Sequence, residues 1–374
     1  MKVQFDKVPF LKALSRVSSV AEKKTTMPIL GNILIQAKDQ CLLIQATDLE
    51  IGIQTQIEAK VEEPGRICVP SSYFISIIKE LPAEQGELVS SDQSWITIHS
   101  GKAQFKIAGV DGSEFPKMPS SSDIEFSRLQ TNTLKYAIDR TSFAICTDEM
   151  RYNLNGSLIE TETLGNGKKI FRMVATDGHR LAFYNKDLDE NENFNLDKSV
   201  ILPRKGVFEL KKLLSDAKEN EIDFAVSQGN AVCKVKDTKL FMRLVVGEFP
   251  DYTAVIPKNN NKKLTLEKES FYQSLRRVSL LSEGKSKCVK FGIHGQGVLL
   301  RANSPELGEA EEEIFGEFDG GELNIGFNAK YVLDALSASQ GDKVVFEFNH
   351  EQSPGVVRIP DDPSYFGVIM PMRV

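Results

Sequence analysis

Hydrophobic residues recur along this chain at two spacings, helical in six stretches and strand-like in most of the remainder. In residues 6–20, Phe10, Leu14 and Val17 share one helix face, and Arg16 lies roughly opposite them. Residues 131–145 place Leu134, Ile138 and Thr141 at the same offsets around Arg140, and residues 267–281 place Phe271, Leu275 and Val278 around Arg277. A further helix follows each of these. Its apolar face is Phe74, Ile77 and Leu81 in the first case, then Val207, Leu210 and Leu214, then Val332 and Ala335. Residues 29–36, 41–46, 95–100, 169–175, 224–235, 239–246 and 343–348 read as strands, with turns at Gly165-Asn166-Gly167 and at 227–230.

Two more features keep the same order. Extended stretches end in a polar turn at Gln45-Ala46-Thr47-Asp48, Val174-Ala175-Thr176-Asp177 and Arg301-Ala302-Asn303-Ser304. Glu114-Phe115-Pro116 returns 134 residues later as Glu248-Phe249-Pro250. Four features in one order, at separations between 124 and 137 residues, mean one plan written three times. The fold class is therefore α+β, in three similar domains spanning 1–122, 123–256 and 257–374, with boundaries in the polar, Pro-containing stretches 116–123 and 257–263. Each domain has two helices gathered on one side of antiparallel sheets. Length agrees, because 374 residues exceed the roughly 250–300 at which one hydrophobic core stops growing.

Composition narrows the class. Hydrophobic residues at 41%, charged residues at 26% and a mean hydropathy of −0.23 disfavour both disorder and a membrane protein. Lys2, Asp6 and Lys7 interrupt the start where a signal peptide needs its apolar stretch. The five cysteines are far apart and never spaced as CxxC, which suits a reducing compartment. A soluble cytoplasmic protein is expected. The four histidines are scattered, so no metal or other cofactor is expected.

The net charge of −6 and a pI near 5.5 weigh against a nucleic-acid partner. The distribution weighs the other way. The six helical stretches carry +10 in total, leaving −16 for the rest of the chain. Lys12, Arg16 and Lys23 lie within about 40° of one another on the helical wheel. Cations segregated onto one class of element are what attraction to a phosphate backbone uses, and without base-edge readers such contacts are sequence-independent. The rival reading is a peptide-binding scaffold with solvated helix faces, which the net charge favours.

Motifs for chemistry are missing. A Walker A loop ending at Gly284-Lys285-Ser286 would need glycine where Ser279 stands, and one ending beyond Gly167-Lys168 would need it at Glu162. Gly165-Asn166-Gly167 continues to Ile170, so it fits a hairpin turn better than a dinucleotide loop. Asp177 and His179 suggest acid–base work, yet the counterpart turns have no histidine, which favours a turn or a partner-contact site. No catalytic residue and no enzyme are expected.

Longer motifs carry a resemblance: Met27-Pro28-Ile29-Leu30-Gly31-Asn32, Arg151-Tyr152-Asn153-Leu154-Asn155-Gly156, Ala175-Thr176-Asp177-Gly178-His179-Arg180-Leu181, Pro203-Arg204-Lys205-Gly206, Phe249-Pro250-Asp251-Tyr252, Ile325-Gly326-Phe327-Asn328 and Met370-Pro371-Met372-Arg373. In this order the chain resembles, over its whole length, the β subunits of bacterial DNA polymerase III, the DNA sliding clamps. The resemblance implies a ring of two chains joined head to tail, with twelve helices lining a channel around duplex DNA. It implies a processivity factor that tethers the polymerase III catalytic subunit, the clamp loader, other polymerases and repair proteins.

Site residues follow from the same resemblance. A hydrophobic cleft for partner peptides would comprise Leu154, Thr176, Gly178, His179, Arg180, Leu181, Pro250, Val255, Asn328, Tyr331, Val368, Ile369, Met370, Pro371, Met372 and Arg373. Ala254 stands where the family often has a basic residue, and Val374 where it usually has leucine. DNA contacts would be Lys24, Arg151, Tyr152, Arg204 and Lys205, with Asp148 and Asn153 where the family can have glutamine and tyrosine. Helix geometry adds Arg16, Arg140 and Arg277, and with them Lys12, Lys23, Lys211, Lys212 and Arg276. Phe105 and Ile107 at one end of the chain would meet Leu280 and Leu281 of the next copy, with the acidic run Glu309-Ala310-Glu311-Glu312-Glu313 as charge complement.

Overall fold

A computed structural model describes residues 1–21, 26–90, 94–119, 124–189, 192–282 and 287–373. Among these are six α-helices: α1 Lys7–Ser18, α2 Ser71–Glu80, α3 Thr131–Thr141, α4 Arg204–Ser215, α5 Lys268–Val278 and α6 Ala329–Ser337. Each begins where a strand ends. Lys2–Asp6, Gly65–Pro70, Ser127–Gln130, Val200–Pro203, Lys262–Glu267 and Leu323–Asn328 run directly into the six helices in turn.

The repeated faces are buried as their spacing dictates: Phe10, Leu14 and Val17 on α1, Leu134, Ile138 and Thr141 on α3, and Phe271, Leu275 and Val278 on α5. α3 and α5 tighten into 3-10 turns at Ser142–Ala144 and Ser279–Leu281. On α2 the inward residue is Ile78, with Ile77 only half-buried. The helix ends at Glu80, so the partner of Phe74 is the i+4 residue, and Leu81 is buried from just beyond the helix.

The chain forms two compact units. The first comprises Met1–Asn132, Asn191–Phe194 and Lys205–Leu244. It holds a five-stranded sheet, ordered Lys60–Glu63, Lys2–Asp6, Gln85–Val89, Trp95–Ser100 and Ala103–Ala108, and a nine-stranded sheet. The second comprises Thr133–Glu190, Asn195–Arg204 and Val245–Val374, and holds a twelve-stranded sheet. Sheet continuity explains the partition of the middle third. Thr238–Arg243 pairs antiparallel with Ile51–Glu58 in the first unit, and Arg180–Asp187 pairs with Asp362–Ile369 in the second. The backbone bonds of the middle third are thereby divided between two sheets.

Aromatic side chains fill the cores. Phe10 packs against both Phe5 and Phe74 in the first unit, and Phe271, Phe291, Phe327, Phe346 and Phe348 form a linked cluster in the second. Each contributes about 1.5–3 kcal/mol by leaving water. The stretch 224–235 is a hairpin of Glu221–Ser227 and Asn230–Val235, and Gln228 and Gly229 both take positive φ in its turn. All five cysteines are free thiols, and burial pushes the Cys68 thiol up to about 12. No helix of the described residues is long and apolar enough to cross a membrane.

Candidate functional site

The site is built on the turn Thr176-Asp177-Gly178-His179-Arg180, between strands Lys169–Thr176 and Arg180–Asp187. The Thr176 hydroxyl donates to the Arg180 carbonyl at 2.6 Å and accepts the Gly178 N–H at 3.1 Å. Asp177 Oδ1 accepts the N–H groups of His179 and Arg180. Thr47-Asp48-Leu49-Glu50-Ile51 makes the same four bonds: Thr47 to Ile51, Leu49 to Thr47, and Glu50 and Ile51 to Asp48. Both turns put their third residue at positive φ, Gly178 at 86° and Leu49 at 74°. The repeat extends to individual hydrogen bonds. It also accounts for Asp177, whose carboxylate holds the turn closed and is not aimed at the His179 ring.

Arg180 is the hub of the site. Its Nε donates to Asp177 Oδ2 at 3.0 Å, one terminal nitrogen to Asp334 at 2.6 Å and the other to the Phe143 carbonyl at 2.5 Å. The guanidinium lies over the Tyr331 ring, 4.5 Å from its centroid, and His179 stacks on the same ring at 6.5 Å. Burial, and next the Asp177 charge, hold the Tyr331 phenol above its ordinary pKa. A side chain tied at three points fixes the turn against α6.

Against this frame lies a cavity of about 130 Å³, lined by Leu154, Thr176, Gly178, Arg180, Leu181, Pro250, Asp251, Tyr252, Val255, Val368 and Met370. Nine of these residues are ones the sequence places in a cleft. Asp251 and Tyr252 are additions, for which the Phe249-Pro250-Asp251-Tyr252 motif was the available signal. The Tyr252 hydroxyl donates to Glu160 at 2.6 Å, and Glu160 also pairs with Arg172 at 2.7 Å. Burial, followed by the Glu160 hydrogen bond, pushes the Tyr252 phenol up to about 12.

The remaining expected cleft residues do not line this cavity. Ile369 is buried on the other face of its strand, as alternation with Val368 and Met370 requires. Asn328 caps α6 by accepting the Lys330 N–H, and Met372 donates its N–H to the Gly326 carbonyl at 2.8 Å. His179 stacks on Tyr331, whose ring Arg180 covers, and Pro371 and Arg373 flank the Met372 bridge.

Family models for the N-terminal, central and C-terminal domains of the DNA polymerase III beta subunit match residues 1–119, 128–251 and 253–373. The Beta sliding clamp of Caulobacter vibrioides is 36% identical over 376 residues, covering 100% of each chain. The chain belongs to the beta sliding clamp family. A solved sliding clamp from Bartonella birtlesii, bound to griselimycin, superposes with a TM-score of 0.94 at 33% identity, covering 100% of both chains. The sliding clamp of Bacillus subtilis does so with 0.93 at 31%, covering 100% of this chain and 99% of its own. The fold is accordingly the three-domain clamp fold, α+β with antiparallel sheets.

The basic residues fall into two groups in this clamp fold. Arg151 and Tyr152 are exposed on the loop before Leu154, where Arg151 donates to the Asp177 carbonyl at 3.2 Å. Arg204 and Lys205 open α4, and Lys205 pairs with Asp48 at 2.8 Å and Glu50 at 3.4 Å. The helix-wheel candidates need correction. Arg140 is 6% exposed, bonded to Asp362 and stacked on Tyr136 and Tyr184, so it does not face solvent. Arg16 is half-buried, with one terminal nitrogen 3.5 Å from the Thr238 hydroxyl and its Nε lacking a partner. Arg277 is exposed but paired with Glu312. A wheel assigns direction around one helix and ignores the neighbouring sheet, which a long arginine reaches. Lys23, Lys24, Val374 and the Gly284-Lys285-Ser286 segment lie outside the described residues.

Phe105 and Ile107 lie half-buried on the strand Ala103–Ala108, at the edge of the five-stranded sheet. They continue the inward row of Ile98 and Ile96, their cross-strand partners. Leu280 is 74% exposed and Leu281 half-buried in the turn after α5.

Proposed function

We infer that this protein is a DNA sliding clamp, the non-catalytic processivity subunit of a bacterial replicative polymerase. The observation that carries the reading is its membership, over the full length, in a family whose three-domain plan it repeats down to individual turn hydrogen bonds. Two copies joined head to tail form a ring around duplex DNA, with Phe105 and Ile107 of one meeting Leu280 and Leu281 of the next. Joining like this is heterologous, and it closes only if the rotation does. The half-buried Phe105 and Ile107 on an edge strand and the exposed Leu280 support it, since a core row continued to an open edge asks for cover.

Within the ring, Arg151, Tyr152, Arg204 and Lys205 touch phosphates without reading bases, so the clamp slides. The cleft takes the apolar side chains of short peptides from the polymerase, the clamp loader and repair proteins. Its walls suit that role, with Leu154, Leu181, Val255 and Val368 rigid and Met370 adaptable. Tethering raises the polymerase's local concentration to about the millimolar range without a new DNA contact. Loading the protein on a nicked circle and then linearising the DNA tests encirclement. Release from the free ends is expected, and persistence on linear DNA overturns the reading.

A further inference from the structure

The cavity has one wall of sheet and one of loop. Leu181 and Val368 face each other in a backbone ladder, which holds their side in place. Pro250, Asp251, Tyr252 and Val255 form the other side, on a stretch that carries no strand between Arg243 and Lys262. That rim is organised by the 3-10 turn Tyr252–Val255, which Asp251 caps by accepting the Thr253 N–H at 3.0 Å. Residues three apart eclipse one another in such a turn, so Tyr252 and Val255 share the face that lines the cavity.

The turn is tied to the sheet through the Tyr252 hydroxyl. Glu160 and Arg172 lie directly opposite each other on the strands Gly156–Thr163 and Lys169–Thr176. One carboxylate oxygen, Glu160 Oε1, accepts from Arg172 at 2.7 Å and from Tyr252 at 2.6 Å. The second terminal nitrogen of Arg172 goes to Glu162 at 2.9 Å. The guanidinium also lies over the Phe183 ring, 5.5 Å from its centroid, and Phe183 packs against the Tyr252 ring at 6.0 Å. The tyrosine is thus held at both its ring and its hydroxyl. A bond to an ionised acceptor is roughly twice as strong as a neutral one.

The other two domains follow the same plan without this triangle. Since the turn at Thr47-Asp48 corresponds to that at Thr176-Asp177, Arg172 answers to Leu43 and Glu160 to Gln36, which face each other in the first domain's ladder. In the last domain the corresponding pair is Gly292 opposite Leu299. Phe115 answers to Phe249 and hence Met118 to Tyr252; Met118 packs on the cluster of Leu34, Cys68 and Phe115 and has no hydroxyl to donate. Laying this loop on its sheet therefore needs neither an ion pair nor a phenol. Both stand in the domain whose loop rims the cavity.

We propose that Glu160, Arg172 and Tyr252 are positioning residues for the peptide cleft: the Tyr252–Glu160 bond sets where the rim 250–255 stands, and Arg172 holds the Glu160 carboxylate where that bond needs it. The proposal rests on the cleft's role in capturing peptides. Arg180 fixes one wall and the triangle fixes the other. A rim already in its working position has little left to order when a peptide enters, and preorganisation of this kind appears as affinity.

Fluorescence anisotropy of full-length protein with a short labelled peptide, carrying leucine and phenylalanine side by side, tests the proposal. Tyr252→Phe keeps the ring and is expected to weaken capture about tenfold, chiefly through faster dissociation, with the oligomeric state unchanged. Glu160→Leu removes the acceptor and weakens capture equally. The two together do no more than either alone, because both break one bond, whereas Glu160→Gln keeps an acceptor oxygen and most of the affinity. Losses that multiply to about a hundredfold in the double variant overturn the proposal. So does Glu160→Gln if it is as damaging as Tyr252→Phe, a comparison that stands even when Glu160→Leu fails to fold. A role in stability alone lowers the unfolding midpoint of Tyr252→Phe and leaves the folded protein's peptide affinity at the wild-type value, which overturns the proposal while the cleft reading survives. Wild-type protein that captures no such peptide removes the cleft reading and the proposal together.

Discussion

Arginines show most plainly what a residue's neighbours decide. Arg16, Arg140 and Arg277 occupy one position of the repeat, yet they meet a threonine, an aspartate with two tyrosines, and a glutamate. Arg140 is the most enclosed. Arg140→Ala strands the Asp362 carboxylate and should destabilise the protein by about 3 kcal/mol in denaturant unfolding. The salt dependence of DNA binding should not change with it, whereas a phosphate contact would take part of the slope away. Tyr252 offers a pH test at the same scale. Its phenol titrates at about 12, above the usual tyrosine value near 10, because burial and the Glu160 bond favour the neutral form. A raised folded-state pKa means that its contribution to stability is intact below about pH 10 and is lost as pH climbs toward about 12. Alkaline difference absorbance between wild type and Tyr252→Phe should show one phenol ionising in that upper range. A difference signal centred near 10 would remove the cause assigned to Glu160.

Elements were legible in proportion to their periodicity. α1, α3 and α5 carry a face repeated three times, and all three bury it. The inward face of α2 differs by one residue from the spacing-based expectation because its apolar run holds Ile75, Ile77 and Ile78 together, and spacing alone does not choose among them. Strands 95–100 and 343–348 match Trp95–Ser100 and Lys343–Phe348, where alternation is regular. The C-terminal tail is an element whose role depends on the fold. Met370 lines the cavity, its N–H donates to the His179 carbonyl at 2.9 Å, and Met372 bridges to Gly326. Deleting residues 370–374 should abolish capture of a clamp-binding peptide in fluorescence anisotropy and leave the oligomeric state unchanged. A monomeric truncated protein would make the tail structural.

At the scale of the molecule, charge changes meaning. The sum of −6 is divided between cationic helices and an acidic remainder, but several helical cations are already paired, Lys205 with Asp48, Lys212 with Glu209 and Arg277 with Glu312. DNA affinity should therefore rest on fewer phosphate contacts than the helix charges suggest. Replacing Arg204 and Lys205 by alanine should lower the slope of log affinity against log salt by about 0.9 for each phosphate no longer neutralised, and leave peptide capture intact. If peptide capture fell and the slope held, the scaffold reading of the net charge would gain.

By itself the sequence determined the threefold plan, its six helices and the motif residues that gather at the cleft, because periodicity, turn chemistry and motif order are local properties of a chain. Nine of the residues it assigns to a cleft line the cavity, together with Asp251 and Tyr252, which follow Pro250 in the same motif. Only the tertiary structure decided what the repeated arginines meet, since Arg140 pairs with the Asp362 carboxylate and Arg16 approaches the Thr238 hydroxyl, each 222 residues away. It also decided that the middle third is shared between two sheets, and which strand edges stay open. Backbone pairing across distant segments leaves no mark in local spacing, and the register that follows from it becomes readable only when the strands lie side by side.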